Sequence, residues 1–529
     1  MRGIESRAWL LAIVSAVLQV VIFPLANLYV FCWIAIAPLL VALLRARRPD
    51  TLQLQGALKL LPATPAQGFL LGYVCGILWY CGSCYWIYST MKQYGGISAP
   101  GAAGLLFLFS LYLGLYNGLF GLVISVLAQW SERVALVLSP FIWVAVELAR
   151  TRITGFPWDL LGTAQVDNIP LSRLATITGV YGVSLEIMIV NAAFAAGFLV
   201  HRRRSKSLRL AAIAAAILLQ VGRWNPAPKF PTDRTALLVQ ENIPVLDSAD
   251  WTRQYFADTL ADLSRISLNP PGGERLHPNF IAWPESPAPF YTGDPLFRAA
   301  LSQVASSART WVVAGSIGIE NAKAIPQQPT QMFNSAVLVS PRGEWVGRYD
   351  KVHLVPFGEY VPFKEWLSFA GGLTKEVGDF SPGQSRAPLQ AGDEKLGVFI
   401  CYESIFPDEV RQFAKNGAQV FVNISNDGWY GDSGAYAQHL QQARMRAVEN
   451  ARWLLRTTNT GVTASIDPYG RVEQTVLRKV RTVLQASYAL NDPTTFYTRH
   501  GDWLAYLCAI ISAGALVVAL TPAKGRRSA

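Results

Sequence analysis

The chain has 529 residues, of which 51% are hydrophobic and only 15% charged, and its formal net charge is +11. With a mean hydropathy of +0.26, it holds far less charge than the roughly one quarter usual for soluble globular proteins. The basic excess does not mark a nucleic-acid partner. It sits in short clusters (Arg45, Arg47 and Arg48; residues 201–206; Lys524, Arg526 and Arg527) that each abut an apolar stretch, with no basic stripe interleaved with aromatics.

In chain order, the stretches 8–26, 28–44, 68–88, 101–129, 134–149, 174–200, 208–221 and 503–520 read as membrane spans, judged against a need for ~17–25 apolar residues. The first is long for a signal-peptide core and lacks a clear small-residue cleavage site, so it reads as a retained helix. Eight spans with a cytoplasmic N-terminus put the basic loops 45–59, 131–133 and 201–209 and the C-terminal tail on one side. The opposite loops carry few basic residues, Lys92 among them. This asymmetry places residues 222–502 outside the cytoplasm, in the periplasm of a Gram-negative cell. Glu147 is expected to reach the interface, and Glu186 to be an interfacial or helix-paired carboxylate with no assigned role. Cys81 and Cys84, a C-x-x-C pair inside a span, read as packing residues one turn apart rather than a redox or zinc motif.

Three segments follow: a membrane domain over residues 1–221, an extramembrane domain over 222–502, and a last span with a tail over 503–529. The middle segment is long enough to bury its own core. It alternates β-rich runs (235–239, 279–283, 311–315, 336–340, 396–400 and 420–425) with helical ones (250–268, 407–414 and 436–455), which predicts an α/β sandwich.

Cys401 is the one cysteine of that domain. It ends the run 396–400 and opens Tyr402-Glu-Ser-Ile-Phe-Pro407 ahead of a helix, a strand-to-helix elbow that exposes a sulfur and offers backbone N–H groups to an oxyanion. A thiol is largely protonated near neutral pH, so a nucleophilic cysteine needs a base or a nearby cation. Glu285 follows the strand at 279–283, in Trp283-Pro-Glu-Ser286. Lys351 lies in a stretch too polar and Pro-broken for a core strand, Tyr349-Asp-Lys-Val-His-Leu-Val-Pro-Phe-Gly-Glu-Tyr360. Glu285 can take and return the proton, and Lys351 can steady thiolate and oxyanion. A Cys–His pair using His353 or His439 is the alternative these residues leave open.

Trp283-Pro-Glu-Ser286, Lys351-Val-His-Leu-Val-Pro-Phe-Gly-Glu359 and Cys401-Tyr-Glu403 resemble the Glu-Lys-Cys motifs of the nitrilase superfamily. More narrowly, they resemble the apolipoprotein N-acyltransferase family. So do Gln240-Glu-Asn-Ile-Pro244, Asn423-Ile-Ser-Asn-Asp-Gly-Trp429, Gln438-His-Leu-Gln-Gln-Ala-Arg-Met-Arg-Ala447, Arg456-Thr-Thr-Asn-Thr-Gly461 and, in the membrane part, Thr154-Gly-Phe-Pro-Trp158. The resemblance implies a multi-pass α-helical membrane domain joined to a nitrilase-like α-β-β-α sandwich in a bacterial inner membrane. It implies a ping-pong reaction in which Cys401 takes the sn-1 acyl chain of a phospholipid, typically phosphatidylethanolamine, as a thioester. The acceptor would be the α-amine of the diacylglyceryl-cysteine that begins an apolipoprotein. By the same resemblance Glu285 is general base, Lys351 the electrostatic partner, Glu359 a further essential acid, and Tyr402 and Glu403 supporting residues. Trp251, Phe357 and Trp429 are matched as substrate-binding positions. No cofactor is implied.

The segment 353–380 carries Phe357, Tyr360, Phe363, Trp366, Phe369 and Phe380 among prolines and glycines, which reads as a lid over acyl chains beside a bilayer. The five histidines form no H-E-x-x-H, and no P-loop or dinucleotide glycine pattern occurs, so no metal site is expected. Two rivals remain. A membrane-tethered amidase would pass the acyl group to water, and a transporter would carry a decayed domain.

Overall fold

The computed structural model of the protein describes residues 3–48, 60–199, 202–224, 227–245, 250–271, 277–286, 288–320, 331–360 and 380–521. Two compact units emerge. One comprises Met1–Ser89, Ser98–Pro226 and His500–Ala529, and the other Thr90–Ile97 and Ala227–Arg499.

The first unit is helical. Among the described residues, five helices are long and apolar enough to cross a membrane, namely Ala99–Trp130, Glu132–Thr154, Val180–Leu199, Ser205–Trp224 and Trp503–Leu520. A sixth candidate is the pair Pro65–Ser83 and Trp86–Gln93, bent by 52°. The first two expected spans fall short of that standard. Ser6–Val21 has 16 residues, about 24 Å of helix against a hydrocarbon core of ~30 Å. Residues 28–44 divide into a 3-10 turn at Tyr29–Trp33 and the eight-residue helix Ala37–Leu44. The expected stretch 174–200 likewise starts its long helix only after Gly179, whose φ of +66° breaks the backbone.

Thr64 opens helix Pro65–Ser83 with a reciprocal capping box to Gln67. This helix packs on Ala99–Trp130 through glycines. A Cβ at Gly72 would lie 2.2 Å from the Asn117 carbonyl oxygen, so backbone approaches backbone as membrane helices with small residues allow. Glu147 does not reach an interface. It is buried and accepts the Leu161 N–H at 2.8 Å, because the chain turns back beneath it after residue 154. Glu186 is half-buried on helix Val180–Leu199. Cys81 and Cys84 are unbridged.

The second unit contains twelve strands among the described residues. In chain order these are β1 (Arg234–Gln240), β2 (Phe280–Ala282), β3 (Trp311–Glu320), β4 (Gln331–Val339), β5 (Trp345–Asp350) and β6 (Leu389–Ala391). Then come β7 (Glu394–Ile400), β8 (Val420–Ser425), β9 (Leu454–Thr458), β10 (Ala464–Ile466), β11 (Val472–Thr475) and β12 (Thr482–Tyr488). They form two six-stranded sheets, ordered β12-β1-β2-β3-β4-β5 and β11-β10-β9-β8-β7-β6. The centre of each is parallel, β1-β2-β3 in one and β7-β8-β9 in the other, and the flanks are antiparallel. Parallel strands with both faces covered read as continuous apolar runs, and β8 (Val-Phe-Val-Asn-Ile-Ser) is buried throughout.

Leu238, Ala282, Val313 and Leu338 of one sheet pack with Val398, Val420, Val422 and Leu455 of the other. Helices Arg253–Leu268 and Pro295–Ala308 cover the first sheet through Leu260, Leu263, Leu301 and Val304. Helices Pro407–Lys415 and Ala435–Asn450 bring Val410, Phe413, Ala443 and Ala447 to the other sheet's core. This is the α-β-β-α sandwich. The helix expected over 436–455 stops at Asn450, where Ala451 turns left-handed (φ 49°) and Leu454 begins β9. Both parallel triplets end on the same side of the sandwich, where the open ends of α/β strands present their loops.

Candidate active site

Each candidate residue follows directly from a strand end. Glu285 lies three residues beyond β2, Lys351 follows β5, and Cys401 follows β7. Gly315 of β3 lets the Glu285 loop sit against the sheet, since a Cβ there would meet the Pro284 carbonyl oxygen at 2.2 Å and Glu285 Cα at 2.7 Å.

Cys401 takes φ 49°, the left-handed region that non-glycine residues avoid. A 3-10 turn, Cys401–Ile405, begins there. The strain is held from both directions. Glu403 accepts the Ile400 N–H on one oxygen (2.7 Å) and, on the other, Tyr349 OH (2.7 Å), Val352 N–H (2.8 Å) and His353 N–H (3.1 Å). One buried carboxylate therefore ties the Cys401 elbow to the Lys351 loop. Behind the elbow, His439 Nε2 meets the Cys401 carbonyl oxygen at 3.0 Å and Ser404 Oγ at 2.7 Å, while its Nδ1 lies 3.0 Å from Asp427. Arg456 donates to both oxygens of Asp427, at 3.0 and 2.9 Å. Burial opposes ionisation of Asp427, but Arg456, His439 and Ser425 together hold its carboxyl well below the usual range. Burial, with Arg456 beside it, pushes His439 below the ordinary imidazole range, and Asp427 offsets this only in part.

Lys351 is 1% exposed. Its Nζ donates to Glu359 Oε1 at 2.9 Å and reaches Glu285 Oε1 at 3.4 Å. Asn334 of β4 bridges the same two carboxylates, at 2.8 Å to Glu285 and 2.5 Å to Glu359. The Asn426 N–H supplies Glu285 Oε2 at 2.7 Å, and the Val355 N–H supplies Glu359 Oε2 at 2.7 Å. Burial alone would discharge the lysine, but Glu359 first and Glu285 second outweigh it and hold its ammonium well above the ordinary range. For Cys401 the balance is opposite. Burial first, and the Glu285 carboxylate second, push the thiol up, and Lys351 offsets them only in part. Lys351, Glu285, Glu359 and Cys401 are all buried, and removal from water strengthens the interactions among them.

Glu285, Lys351, Glu359, Cys401 and Glu403 are therefore brought into one network. Tyr402 is buried beside it, its ring 5.2 Å from Phe406 and 6.0 Å from His353. The His353 ring meets that of Phe406 at 3.7 Å between centroids, tilted by 32°, and His439 reaches Cys401 at its carbonyl. Phe357 and Trp429 are each 46% exposed. The Trp429 carbonyl accepts from Thr90 Oγ1 at 2.9 Å, and its ring meets Tyr94 edge-on at 5.4 Å. Trp251 packs on the outer helical layer beside Tyr255 (4.9 Å), with no hydrogen bond joining it to this network among the described residues. Of the aromatic segment, Phe363, Trp366 and Phe369 lie outside the described residues. Sequence reasoning did not single out Asn334, Asn426, Asp427 or Arg456. The last three lie inside quoted motifs, and Asn334 carried no signal.

Residues 266–495 match the carbon–nitrogen hydrolase family, and residues 15–193 match the N-terminal domain of apolipoprotein N-acyltransferase. The second unit is thus nitrilase-like and its partner is that family's own N-terminal domain. The chain is 34% identical to the apolipoprotein N-acyltransferase of Geobacter metallireducens, over 98% of this chain and 95% of that one. It is 33% identical to that of Methylococcus capsulatus, over 85% and 87%. Among solved structures it is similar to an amidase from Nesterenkonia sp. (20% identity, TM-score 0.37), over 53% of this chain and 97% of that one. The chain belongs to the apolipoprotein N-acyltransferase family.

The electrostatics make a test of the site. Replacing Glu285 by Gln removes a negative charge that raises the thiol, so thiolate forms at lower pH. Iodoacetamide should label Cys401 several-fold faster in Glu285→Gln than in wild type at a fixed mildly alkaline pH, with the midpoint of the pH–rate profile moved down. Slower labelling, or an upward shift, would contradict the arrangement.

Proposed function

We propose that this chain transfers the sn-1 acyl chain of a phospholipid, typically phosphatidylethanolamine, to the α-amine of the diacylglyceryl-cysteine at an apolipoprotein's N-terminus. The observation that carries the reading is Cys401 in a strained elbow beside an ammonium shared by Glu285 and Glu359. In the first half-reaction Cys401 Sγ attacks the ester carbonyl as its proton passes to Glu285. The Lys351 ammonium stabilises the oxyanion. Collapse breaks the ester C–O bond, Glu285 protonates the departing oxygen, and a lysophospholipid leaves a thioester on Cys401. In the second half-reaction the amine attacks the thioester carbonyl and Glu285 takes the amine's proton. The C–S bond breaks, the thiolate recovers that proton, and an amide leaves. Glu359 fixes the ammonium, and Glu403 fixes the elbow.

A water-using amidase needs only an anchor. The many apolar helices of the first unit and its match to the family's N-terminal domain favour lipid-borne substrates instead. Complementation of a strain depleted of N-acyltransferase decides between them by the acylation state of a model lipoprotein. The proposal predicts an N-acylated lipoprotein with wild type and none with Lys351→Ala. Wild-type protein that leaves the amine free would sink it.

The same reading puts the catalytic unit on the outer face of a bacterial inner membrane. It is supported by the basic residues around 45–48, 201–209 and 524–527. A Ser207→Cys variant should then resist an impermeant thiol reagent in intact cells and react after lysis. Labelling in intact cells would overturn the orientation.

A further inference from the structure

The connection 476–481 runs from β11, on the edge of one sheet, to β12, on the edge of the other. Its side chains are unusual for a water-facing loop. Leu477 is 81% exposed and Val480 46% exposed, and between them stand Arg478 and Lys479. A single exposed apolar residue means little, but this one is held in place. Gln240, fully buried at the end of β1, donates from Nε2 to the carbonyl oxygens of both Leu477 (2.7 Å) and Val480 (2.8 Å). Arg481 donates to the Glu241 carbonyl (2.8 Å) and pairs with Asp262 (2.8 Å). Arg478 lies 3.4 Å from the centre of the Tyr436 ring and donates to the Gly431 carbonyl at 3.2 Å. Lys479 has φ 59° and pairs with Asp432 at 2.5 Å. The fold therefore spends buried polar groups on holding an apolar tip outward.

The tip is tied to Gly431 and Asp432, directly after the turn Asp427–Tyr430 that bears the exposed Trp429. The same turn receives the segment Thr90–Ile97, through Thr90 to the Trp429 carbonyl and Tyr94 to the Gly428 carbonyl (3.0 Å). That segment is covalently continuous with the apolar helix pair ending at Gln93 and with the span that begins at Ala99. Along the chain, only a few residues therefore separate the segment bound to this turn from apolar helices on both sides. Exposed Leu and Val flanked by Arg and Lys, with a Trp alongside, is the composition of a membrane–water interface contact.

We propose that the 476–481 tip, with the adjoining Trp429 turn, is a lipid-interface anchor of the catalytic unit, with Leu477 and Val480 entering the boundary between headgroups and acyl chains. The inference does not depend on the chemistry at Cys401.

The test uses the full chain in nanodiscs of phosphatidylethanolamine and phosphatidylglycerol. Leu477→Cys carries an environment-sensitive fluorophore, and Val346→Cys on β5, at the opposite edge of the sheet and 51% exposed, is the control. Wild type taken through the same labelling gives the background from native thiols. Lipids spin-labelled near the headgroup should quench the probe at 477 about threefold more than the probe at 346, and its emission should be bluer than at 346. Equal quenching at the two sites would overturn the proposal. So would a probe at 477 that stays unquenched in lipid and shifts only when a diacylglyceryl lipopeptide is added, which would make the tip an acceptor contact.

Discussion

Lys351 carries its charge in a place that is 1% exposed. Taking an ammonium out of water costs on the order of several kcal/mol even after relaxation, so the surroundings must return it. Glu359 and Glu285 do so directly, and Asn334 and the Asn426 and Val355 N–H groups keep both carboxylates aimed at it. These partners come from the ends of β2 and β8, from β4, and from the loop after Lys351. Of these groups only the Asn426 N–H comes from the second sheet, where it helps aim Glu285. In the proposed reaction the same charge serves a developing oxyanion, which would tie the chemistry to the constraint that shapes the core.

Cys401 depends on that arrangement at one remove. Burial first, and the Glu285 carboxylate second, push the thiol up, and a protonated thiol is less open to adventitious oxidation than a thiolate. In the proposed reaction with a bound ester, the proton passes to Glu285 as the sulfur attacks, so no standing thiolate is needed. The left-handed elbow is locked by Glu403 in front and by His439, Asp427 and Arg456 behind. Positioning here comes from residues that need not touch substrate.

Much of this was legible in the residues. Strands β7 and β8 read as apolar runs because both faces are covered, and the lone thiol at the end of β7 drew attention to the elbow. The flanking strands β5 (Trp-Val-Gly-Arg-Tyr-Asp) and β11 (Val-Glu-Gln-Thr) did not, since half-exposed antiparallel strands mix charge with apolar residues and resemble loops. The helix 436–455 overran because its stop is a backbone turn at Ala451, a residue that favours helix. Asn334 was invisible because its role comes from spatial bridging, and no local pattern marks it. In the membrane unit, hydropathy found the apolar stretches but not the breaks at residues 34–36, 84–85 and 179, where glycine, bends and buried polar contacts interrupt the helices. Glu147 illustrates this. Its sequence position suggests an interface, and only the return of the chain to Leu161 shows why it is buried.

The central claim is that acyl groups pause on Cys401. Incubating the purified protein with phospholipid labelled in the sn-1 chain, with no acceptor present, and mapping adducts by peptide mass spectrometry measures this directly. The account predicts one labelled acyl chain on the Cys401 peptide, released by hydroxylamine and missing from Cys401→Ala. No adduct on wild type, or an adduct that persists in Cys401→Ala, would contradict it.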